Sequence, residues 1–211
     1  ITIPSSVVKI KKKWCNRAIY LYHIEVMPDN ERYSTYENVY LIEKSSPEVE
    51  FYDVLLSAVH TLRKCKVPDF IRKIATNAFS QCDLLSKIEF ENNSQLQVVG
   101  NKSFTYSNIE KIDFPQSVTC LGKFTFNFCT NLLSVVIPSN PNLQIIDKGA
   151  FAFSSIKCIS IPPNIKQISK YAFFECSKLQ IVELQGCDDL ETIKMTFLKC
   201  NKAIMIMAQN D

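Results

Sequence analysis

Glycine, histidine and tryptophan are scarce in this chain of 211 residues, which holds four glycines, two histidines and one tryptophan. Four glycines are too few for a glycine-rich loop that cradles a phosphate group, which excludes a nucleotide site of that kind. The two histidines, His23 and His60, stand in no motif typical of a nucleophile or a metal site. We therefore expect a protein that is not an enzyme and that uses no cofactor and no metal ion.

Long apolar runs and a strong excess of one charge are also missing. No stretch approaches the ~18–20 consecutive apolar residues of a membrane span, so we expect no membrane insertion of this chain. Lysine and arginine number 24 against 21 aspartates and glutamates, which gives a net charge of +3. This balance is too mild to indicate a nucleic-acid partner.

What the sequence has instead is internal repetition. Phenylalanines recur with spacings of 25, 22, 25, 22 and 24 residues, at Phe79, Phe104, Phe126, Phe151, Phe173 and Phe197. Long and short units therefore alternate, and their double period of 47 residues also relates Cys82, Cys129 and Cys176. Chance does not produce such matched spacings, so we interpret residues 62–211 as an array of six stacked units.

Each unit also follows the spacing L-x-x-L-x-L-x-x-N/C, the leucine-rich-repeat pattern. Its alternating pair, such as Ile88 and Phe90, predicts a short strand with one buried side. Stacked units would join these strands into one in-register parallel sheet, with the phenylalanines filling the layer behind it. The predicted strands lie near residues 88–90, 112–114, 135–137, 159–161 and 182–184. Asn93, Asn140 and Asn164 are suited to bonding the turns that follow.

The recurring sequence I-P-x-x-V-x-x-I-x-x-x-A-F-x-x-C-x-x-L-x-x-I-x-I-P resembles the BspA-type leucine-rich-repeat family of bacterial and protist surface proteins. The resemblance covers roughly residues 62–208, with departures at Phe124-Thr125-Phe126, where Ala-Phe is usual, and in the last unit. It implies an α/β-type solenoid with a concave parallel sheet and with short helices or turns on the convex side. For function, it implies a surface protein that binds host or matrix proteins.

Residues 11–61 interrupt the array and hold six of the eight tyrosines. The runs AIYLYHIEV and ENVYLIE flank the polar segment MPDNERYSTY, which predicts a β-hairpin. Ser46 and Pro47 can then start a helix. Its apolar face would consist of Val49, Tyr52, Leu55, Leu56 and Val59. The segment is either an inserted binding element rich in tyrosine or a degenerate coil whose tyrosines pack against the end of the sheet.

The first residues, ITIPSSVVKI, resemble the end of a repeat that runs into the next one. We therefore interpret residues 1–10 as the end of a preceding repeat and expect the chain to be a fragment of a longer protein.

The nine cysteines include no C-x-x-C pair. Cys82, Cys129 and Cys176 recur two coils apart, hence ~9–10 Å from one another, which is too far for a disulfide. We interpret them as small buried apolar residues. Cys158 falls on the exposed side of its predicted strand, where we expect the most accessible thiol, and Cys187 occupies the N/C position of its unit.

Two features point to different compartments. Asn92 and Asn101 begin the glycosylation sequons NNS and NKS, which fit a cell-surface or extracellular protein. Unpaired thiols are more typical of a reducing compartment such as the cytoplasm. Two functions therefore stay open. One is a surface-associated, adhesin-like module that recognises a protein partner, such as an extracellular-matrix or host-cell protein, and the other is a cytoplasmic structural scaffold.

The exposed positions of the predicted strands define two rows of side chains across the coils. The first row is Lys64, Lys87, Lys111, Ser134, Cys158 and Ile181, and the second is Lys66, Glu89, Asp113, Val136, Ser160 and Glu183. Lysines stacked on neighbouring strands repel one another, which costs some tenths of a kcal/mol of stability per pair. Folding alone gives no reason to accept this cost.

From these rows we predict a partner-binding site on the concave face. Its residues are Lys64, Lys66, Lys87, Glu89, Lys111, Asp113, Val136 and Ile181. The lysines would meet an acidic partner segment, while Val136 and Ile181 would supply an apolar anchor. The alternative is a solvated face of mixed charge, because Glu89 and Asp113 relieve part of the repulsion.

Overall fold

The chain folds as a stack of coils in which short strands from successive coils pair side by side and in parallel. The computed structural model describes residues 1–11, 14–15, 18, 20–186, 190–192, 195–200 and 205–209. The strands in these ranges are β1 (Thr2–Ile3), β2 (Glu25–Val26), β3 (Tyr33–Tyr36), β4 (Tyr40–Glu43), β5 (Val54–Ala58), β6 (Lys64–Val67), β7 (Lys73–Ile74), β8 (Lys87–Phe90), β9 (Val98–Val99), β10 (Lys111–Asp113), β11 (Cys120–Leu121), β12 (Ser134–Val136), β13 (Ile145–Ile146), β14 (Cys158–Ile161), β15 (Gln167–Ile168), β16 (Ile181–Gln185), β17 (Glu191–Thr192) and β18 (Met205–Gln209).

Two ladders of strands run along the stack. The first ladder consists of β6, β8, β10 and β12 in one sheet and β14, β16 and β18 in another. The second consists of β7, β9 and β11, which share a sheet with β3, β4 and β5, followed by β13, β15 and β17. Parallel pairing in the first ladder is confirmed.

The single sheet expected for the first ladder is wrong, because strand pairing is interrupted between β12 and β14. Pro138 follows closely after β12, has no N–H to donate, and helps to keep that strand at three residues. The second ladder is interrupted at the same level, between β11 and β13. The phenylalanine turns bridge this level, since Phe126 N–H donates to Ala150 O across 2.7 Å.

The alternation of long and short units lies mainly in the turn from the first ladder to the second. The chain advances nine residues from the start of β10 to the start of β11, 111 to 120, but eleven from β12 to β13, 134 to 145. Asn140 of this long turn donates to Gln116 O of the preceding short turn at 2.8 Å. Asn164 of the next short turn donates to Leu143 O at 2.6 Å. Long and short turns are thus bonded to each other.

Turns carry the recurring phenylalanines, so of the short helices or turns expected on the convex side, the helices are wrong. No residue of the described ranges is helical. Phe79 N–H donates to Ser103 O of the next coil at 2.7 Å, and Gln81 N–H donates to Thr105 O at 2.9 Å. Asn77 and Gln81 have φ of 62° and 63°, in the left-handed region that ends a right-handed helix. Backbone N–H groups that would donate within the same helix therefore donate to carbonyl groups of the next coil.

The core is organised around a column of phenylalanine rings. Five of the six recurring phenylalanines are fully buried, and Phe197, near the end of the stack, is half-buried. Neighbouring ring centroids lie 5.1–5.6 Å apart, with ring planes within 16° of parallel. The inward residues of the strands, such as Ile88 and Ile112, join the same apolar cluster. The expectation that the phenylalanines fill the layer behind the first ladder is confirmed.

The N-terminal part differs from the sequence prediction in two elements. A hairpin is present, but its strands are β3 and β4, so its first strand lies in the segment expected to be a turn. Glu37 and Asn38, with φ of 53° and 55°, form the tight turn between them. The helix predicted after Pro47 is wrong, because residues 54–58 form β5, which pairs with β4 and β7. Leu55 faces the main core and Leu56 a second, smaller cluster, so both sides of β5 pack.

The tyrosines of this part divide between core and surface. Tyr33 and Tyr40 are buried, whereas Tyr20 and Tyr22 are 84% and 76% exposed. Packing in the core thus accounts for Tyr33 and Tyr40, whereas Tyr20 and Tyr22 remain accessible to a partner. The division of the chain at residues 10 and 61 stays a prediction.

We predict that Phe126→Ala lowers the free energy of unfolding by ~3–5 kcal/mol, because the rings of Phe104 and Phe151 line the cavity left behind. Denaturant titration of both proteins measures the change. Leu133→Ala, at an exposed position, is the control and should change stability by less than ~0.5 kcal/mol. A loss below ~1 kcal/mol for Phe126→Ala would contradict a closely packed ring column.

Candidate functional site

The exposed face of the first ladder brings most of the predicted site residues together. Lys64 pairs in register with Lys87, and Lys87 with Lys111, so three lysines lie side by side on adjacent strands. Lys66 pairs with Glu89 in the second row. All five side chains are exposed, because they alternate with buried residues along β6, β8 and β10.

Carboxylates on the same face offset part of this positive charge. Lys87 lies 2.5 Å from Glu89, and Lys111 lies 3.0 Å from Asp113, each pair being two residues apart on one strand. The hydrogen bond from Lys87, together with its charge, lowers the pKa of the Glu89 carboxyl. Among the described residues, Lys64 has no carboxylate within ion-pair distance. The lysine row therefore keeps a net positive charge at its Lys64 end.

The two apolar residues of the predicted site are not brought together. Val136, 47% exposed, lies in β12 and pairs with Asp113. Ile181 is half-buried in β16, beyond the interruption of the ladder, and pairs with Cys158. Val136 thus lies beside the charged residues on the exposed face of the first ladder, whereas Ile181 belongs to the next sheet.

The N-terminal part contains a cavity of about 280 Å³ lined by Trp14, Cys15, Glu43 and Ser57, among others. Cys15 Sγ lies 2.9 Å from Ser57 Oγ. Burial raises the pKa of the Cys15 thiol, which keeps it protonated and makes it a poor nucleophile. His60 does not line this cavity but is also buried, and burial lowers its pKa. The cavity shows no activated thiol.

Over the ranges that the structure describes, no group of three or more His, Cys, Asp or Glu side chains could hold a metal ion. Among the same residues there is no helix with the length and apolar character needed to span a membrane.

The recurring cysteines Cys82, Cys129 and Cys176 are buried, and the last two also donate hydrogen bonds between coils. The Cys129 thiol donates to the carbonyl of Phe104 at 3.0 Å, and the Cys176 thiol donates to that of Phe151 at the same distance. Ser107, of the preceding short coil, has its Oγ 3.5 Å from Cys129 Sγ. These two thiols therefore bond their long coils to the coils before them. The prediction for Cys187 concerns a residue outside the described ranges.

The leucine-rich-repeat pattern does not reveal two features of the surface, an exposed cysteine and a row of partly exposed aromatic residues. Cys120 is exposed in β11, in addition to Cys158 in β14, because the pattern does not specify the second ladder. An aromatic residue also stands two places after the core phenylalanine in three successive coils, as Tyr106, Phe128 and Phe153. Their spacing of 22 and 25 residues matches that of the core rings, and this was the signal that could have found them.

Stacked coils of parallel strands, with one stacked phenylalanine per coil, define the protein as a leucine-rich-repeat solenoid. The family model for the BspA type leucine rich repeat region matches six copies over residues 53–180. The chain therefore belongs to this family, and the resemblance seen in its repeats is confirmed. A search of curated proteins finds no match to the chain.

Three solved structures share this fold. A leucine-rich-repeat protein from Eubacterium ventriosum has a TM-score of 0.71 at 21% identity, over 98% of this chain and 58% of its own. A leucine rich cell surface protein from Faecalibacterium prausnitzii has a TM-score of 0.59 at 22% identity, and the match covers 100% of this chain and 48% of that protein. The pneumococcal vaccine antigen PcpA has a TM-score of 0.56 at 18% identity, and the match covers 99% of this chain and 45% of that protein. The chain spans about half the length of these proteins.

We predict that Cys129 reacts with a thiol reagent only on unfolding, because it is buried and burial raises its pKa to about 12. Cys158 and Cys120 should react in the folded protein, since both are exposed. Partial burial and the Asp147 carboxylate raise the pKa of Cys120 and should slow its reaction. Mass spectrometry after timed labelling measures the three rates, and rapid labelling of Cys129 in the folded protein would contradict the buried coil contact.

Proposed function

We propose that this chain is a recognition module of a surface-associated leucine-rich-repeat protein, and that it binds a protein partner on the exposed face of the first ladder. The site comprises Lys64, Lys66, Lys87, Glu89, Lys111, Asp113, Val136 and Ile181. An acidic segment of the partner meets the lysines, and Val136 adds apolar contact beside them. Ile181 contributes only to a partner long enough to cross the interrupted ladder.

The observation that supports this proposal most is the position of Lys87 between two other lysines. Like charges directly opposite one another weaken a sheet, and Lys87 faces Lys64 on one side and Lys111 on the other. Glu89 and Asp113 relieve this only in part, because Lys64 has no carboxylate within ion-pair distance among the described residues. An acidic partner would complete the neutralisation.

The comparisons support surface exposure in general terms. Two proteins of similar fold are described as a cell surface protein and as a vaccine antigen. The sequon asparagines, Asn92 and Asn101, are both exposed, which is required for glycosylation. A non-enzymatic role fits a repeat fold whose extended surfaces suit binding.

A cytoplasmic structural scaffold is the second candidate function. The observation that favours it is the absence of disulfides: all eight cysteines in the described part of the chain are free. Free thiols are more common in reducing compartments. The two candidates differ in the partner that each would select.

We predict that reversing two lysines, Lys87→Glu with Lys111→Glu, weakens binding to an extracellular-matrix protein by about tenfold or more, because both changes place negative charge against an acidic segment. The partner is found first by surveying matrix proteins and cell extracts for binding. Affinity is then measured at two salt concentrations, and it should fall with salt because exposed charges are screened over ~8 Å.

The matched control reverses two exposed lysines elsewhere, Lys166→Glu with Lys178→Glu. It changes the net charge equally and should leave the affinity within about twofold. Equal affinities of wild type and the Lys87 and Lys111 variant, with intact folds, would move the site off this face. Selection of cytoplasmic partners alone would favour the scaffold.

A further inference from the structure

A second exposed surface is built by the turns that hold the core phenylalanines. Two residues after each of these phenylalanines, the backbone has a positive φ, between 54° and 63° in all six coils. This left-handed conformation favours glycine or asparagine and is strained for bulky residues. Three successive coils nevertheless place aromatic residues there: Tyr106, Phe128 and Phe153.

These aromatic side chains form a second ring column outside the core. The ring centroids of Tyr106 and Phe128 lie 4.7 Å apart, and those of Phe128 and Phe153 lie 4.2 Å apart, with planes within 8° of parallel. Phe174 closes the column edge-on against Phe153, at 5.2 Å. Tyr106 is 49% exposed and the other three rings are half-buried. Phe128 has a ring against each face, so its solvent-exposed part is the ring edge.

Lysines lie over two further aromatic rings of these turns, Phe124 and Tyr171, and the ring of Tyr171 contacts that of Phe174 at 5.4 Å. The ammonium groups of Lys102 and Lys148 lie 5.7 Å and 5.9 Å from the ring of Phe124, one coil to either side. Gly149 leaves the space that this ring fills, since a Cβ at position 149 would lie 2.4 Å from the ring. Lys170 lies 4.7 Å from the ring of Tyr171 in the coil that follows. We call this surface, rings and lysines together, the aromatic–lysine ridge.

Most lysines of the ridge differ from Lys66, Lys87 and Lys111 of the first ladder in having no ion pair. The exception is Lys199, which lies 5.4 Å from the ring of Phe174 and pairs with Glu175 at 2.9 Å. Lys66, Lys87 and Lys111 each lie within 3.2 Å of a carboxylate. By contrast, no described carboxylate lies within ion-pair distance of the ridge lysines Lys102, Lys123, Lys148 and Lys170, all of them exposed. Their positive charge is thus left open to a ligand.

The chemistry of the ridge selects a class of partner. Ring edges carry partial positive charge, as ammonium groups carry full charge, so both attract carboxylates. The faces of Phe128 are covered by neighbouring rings, which leaves little for nucleobases or sugar rings to stack on. Apolar side chains, however, can pack against the exposed edges. Both features fit an acidic polypeptide that has apolar residues between its carboxylates.

We propose that the aromatic–lysine ridge binds an acidic polypeptide segment in which apolar side chains lie between carboxylates. The carboxylates contact Lys102 and Lys148, and the apolar side chains pack on the edges of Tyr106, Phe128 and Phe153. This surface is separate from the exposed face of the first ladder and goes beyond the function proposed for that face.

Direct binding to synthetic peptides tests this proposal. The probe is a fluorescent peptide of about twelve residues in which two acidic residues alternate with one leucine. A second peptide replaces leucine by serine, and a third replaces the acids by glutamine. We expect only the first to bind well, with affinity that falls as salt rises. Equal binding of the serine peptide, or no binding of the first peptide, would overturn the proposal.

Variants of the chain locate the site. Phe128→Gly removes the central ring and supplies the residue that its backbone conformation favours, so the fold should be kept. Gln81→Gly, at the equivalent position of a coil without an aromatic residue there, is the matched control. We expect Phe128→Gly, and Lys102→Gln with Lys148→Gln, each to weaken binding about tenfold or more, while Gln81→Gly leaves it unchanged.

Two comparisons separate this proposal from the function proposed above. Loss of peptide binding in the Lys87→Glu, Lys111→Glu variant, with none in Phe128→Gly, would overturn the ridge and leave the first-ladder site standing. Tighter binding of heparin, an oligonucleotide or anionic vesicles than of the acidic peptide would overturn the polypeptide class. Loss in the ridge variants alone would support the ridge whatever the first ladder binds.

Discussion

The face-to-face stacking of one phenylalanine ring from each coil is the interaction on which the rest of the structure depends. A single coil cannot bury its phenylalanine, because the faces of each ring are covered only by the coils before and after it. The ring of Phe126, for example, lies between those of Phe104 and Phe151. The stacked rings fix the distance between coils, and that distance brings the amides of one turn within hydrogen-bond reach of the carbonyls of the next.

The same stacking positions the surfaces available to a partner. Once the coils are in register, every exposed strand position becomes one member of a row, and every turn position becomes one member of a second row. The first-ladder row gathers lysines that carboxylates neutralise in part. The turn row gathers aromatic rings beside lysines, of which Lys102, Lys148 and Lys170 have no described carboxylate within ion-pair distance. The strain of placing Phe128 and Phe153 in left-handed conformations is offset by ring stacking along the column.

The parts of this structure that depend on spacing could be predicted from the sequence, and the parts that depend on backbone conformation could not. The 47-residue period identified the coils, and the alternation around Ile88 placed Lys87 and Glu89 on one exposed face. The family resemblance left short helices or turns open on the convex side, and nothing in residues such as Gln81 or Phe128 announces the positive φ that ends a helix there. Residues 54–58 resembled a helix because a strand buried on both sides is a continuous apolar run. The outer rings were missed for a related reason, since bulky residues are uncommon where φ is positive.

Deleting whole coils tests the account most directly. Removing residues 104–150 takes out one double period of 47 residues and joins Ser103 to Phe151, whereas removing residues 104–125 takes out a single short coil of 22. The longer deletion keeps long and short turns adjacent, so we predict cooperative unfolding and a higher free energy of unfolding than the shorter deletion, measured by denaturant titration. The shorter deletion places two long turns together and loses the pairing that Gln116 and Asn140 make. Equal or greater stability of the shorter deletion would contradict a stack built on paired coils.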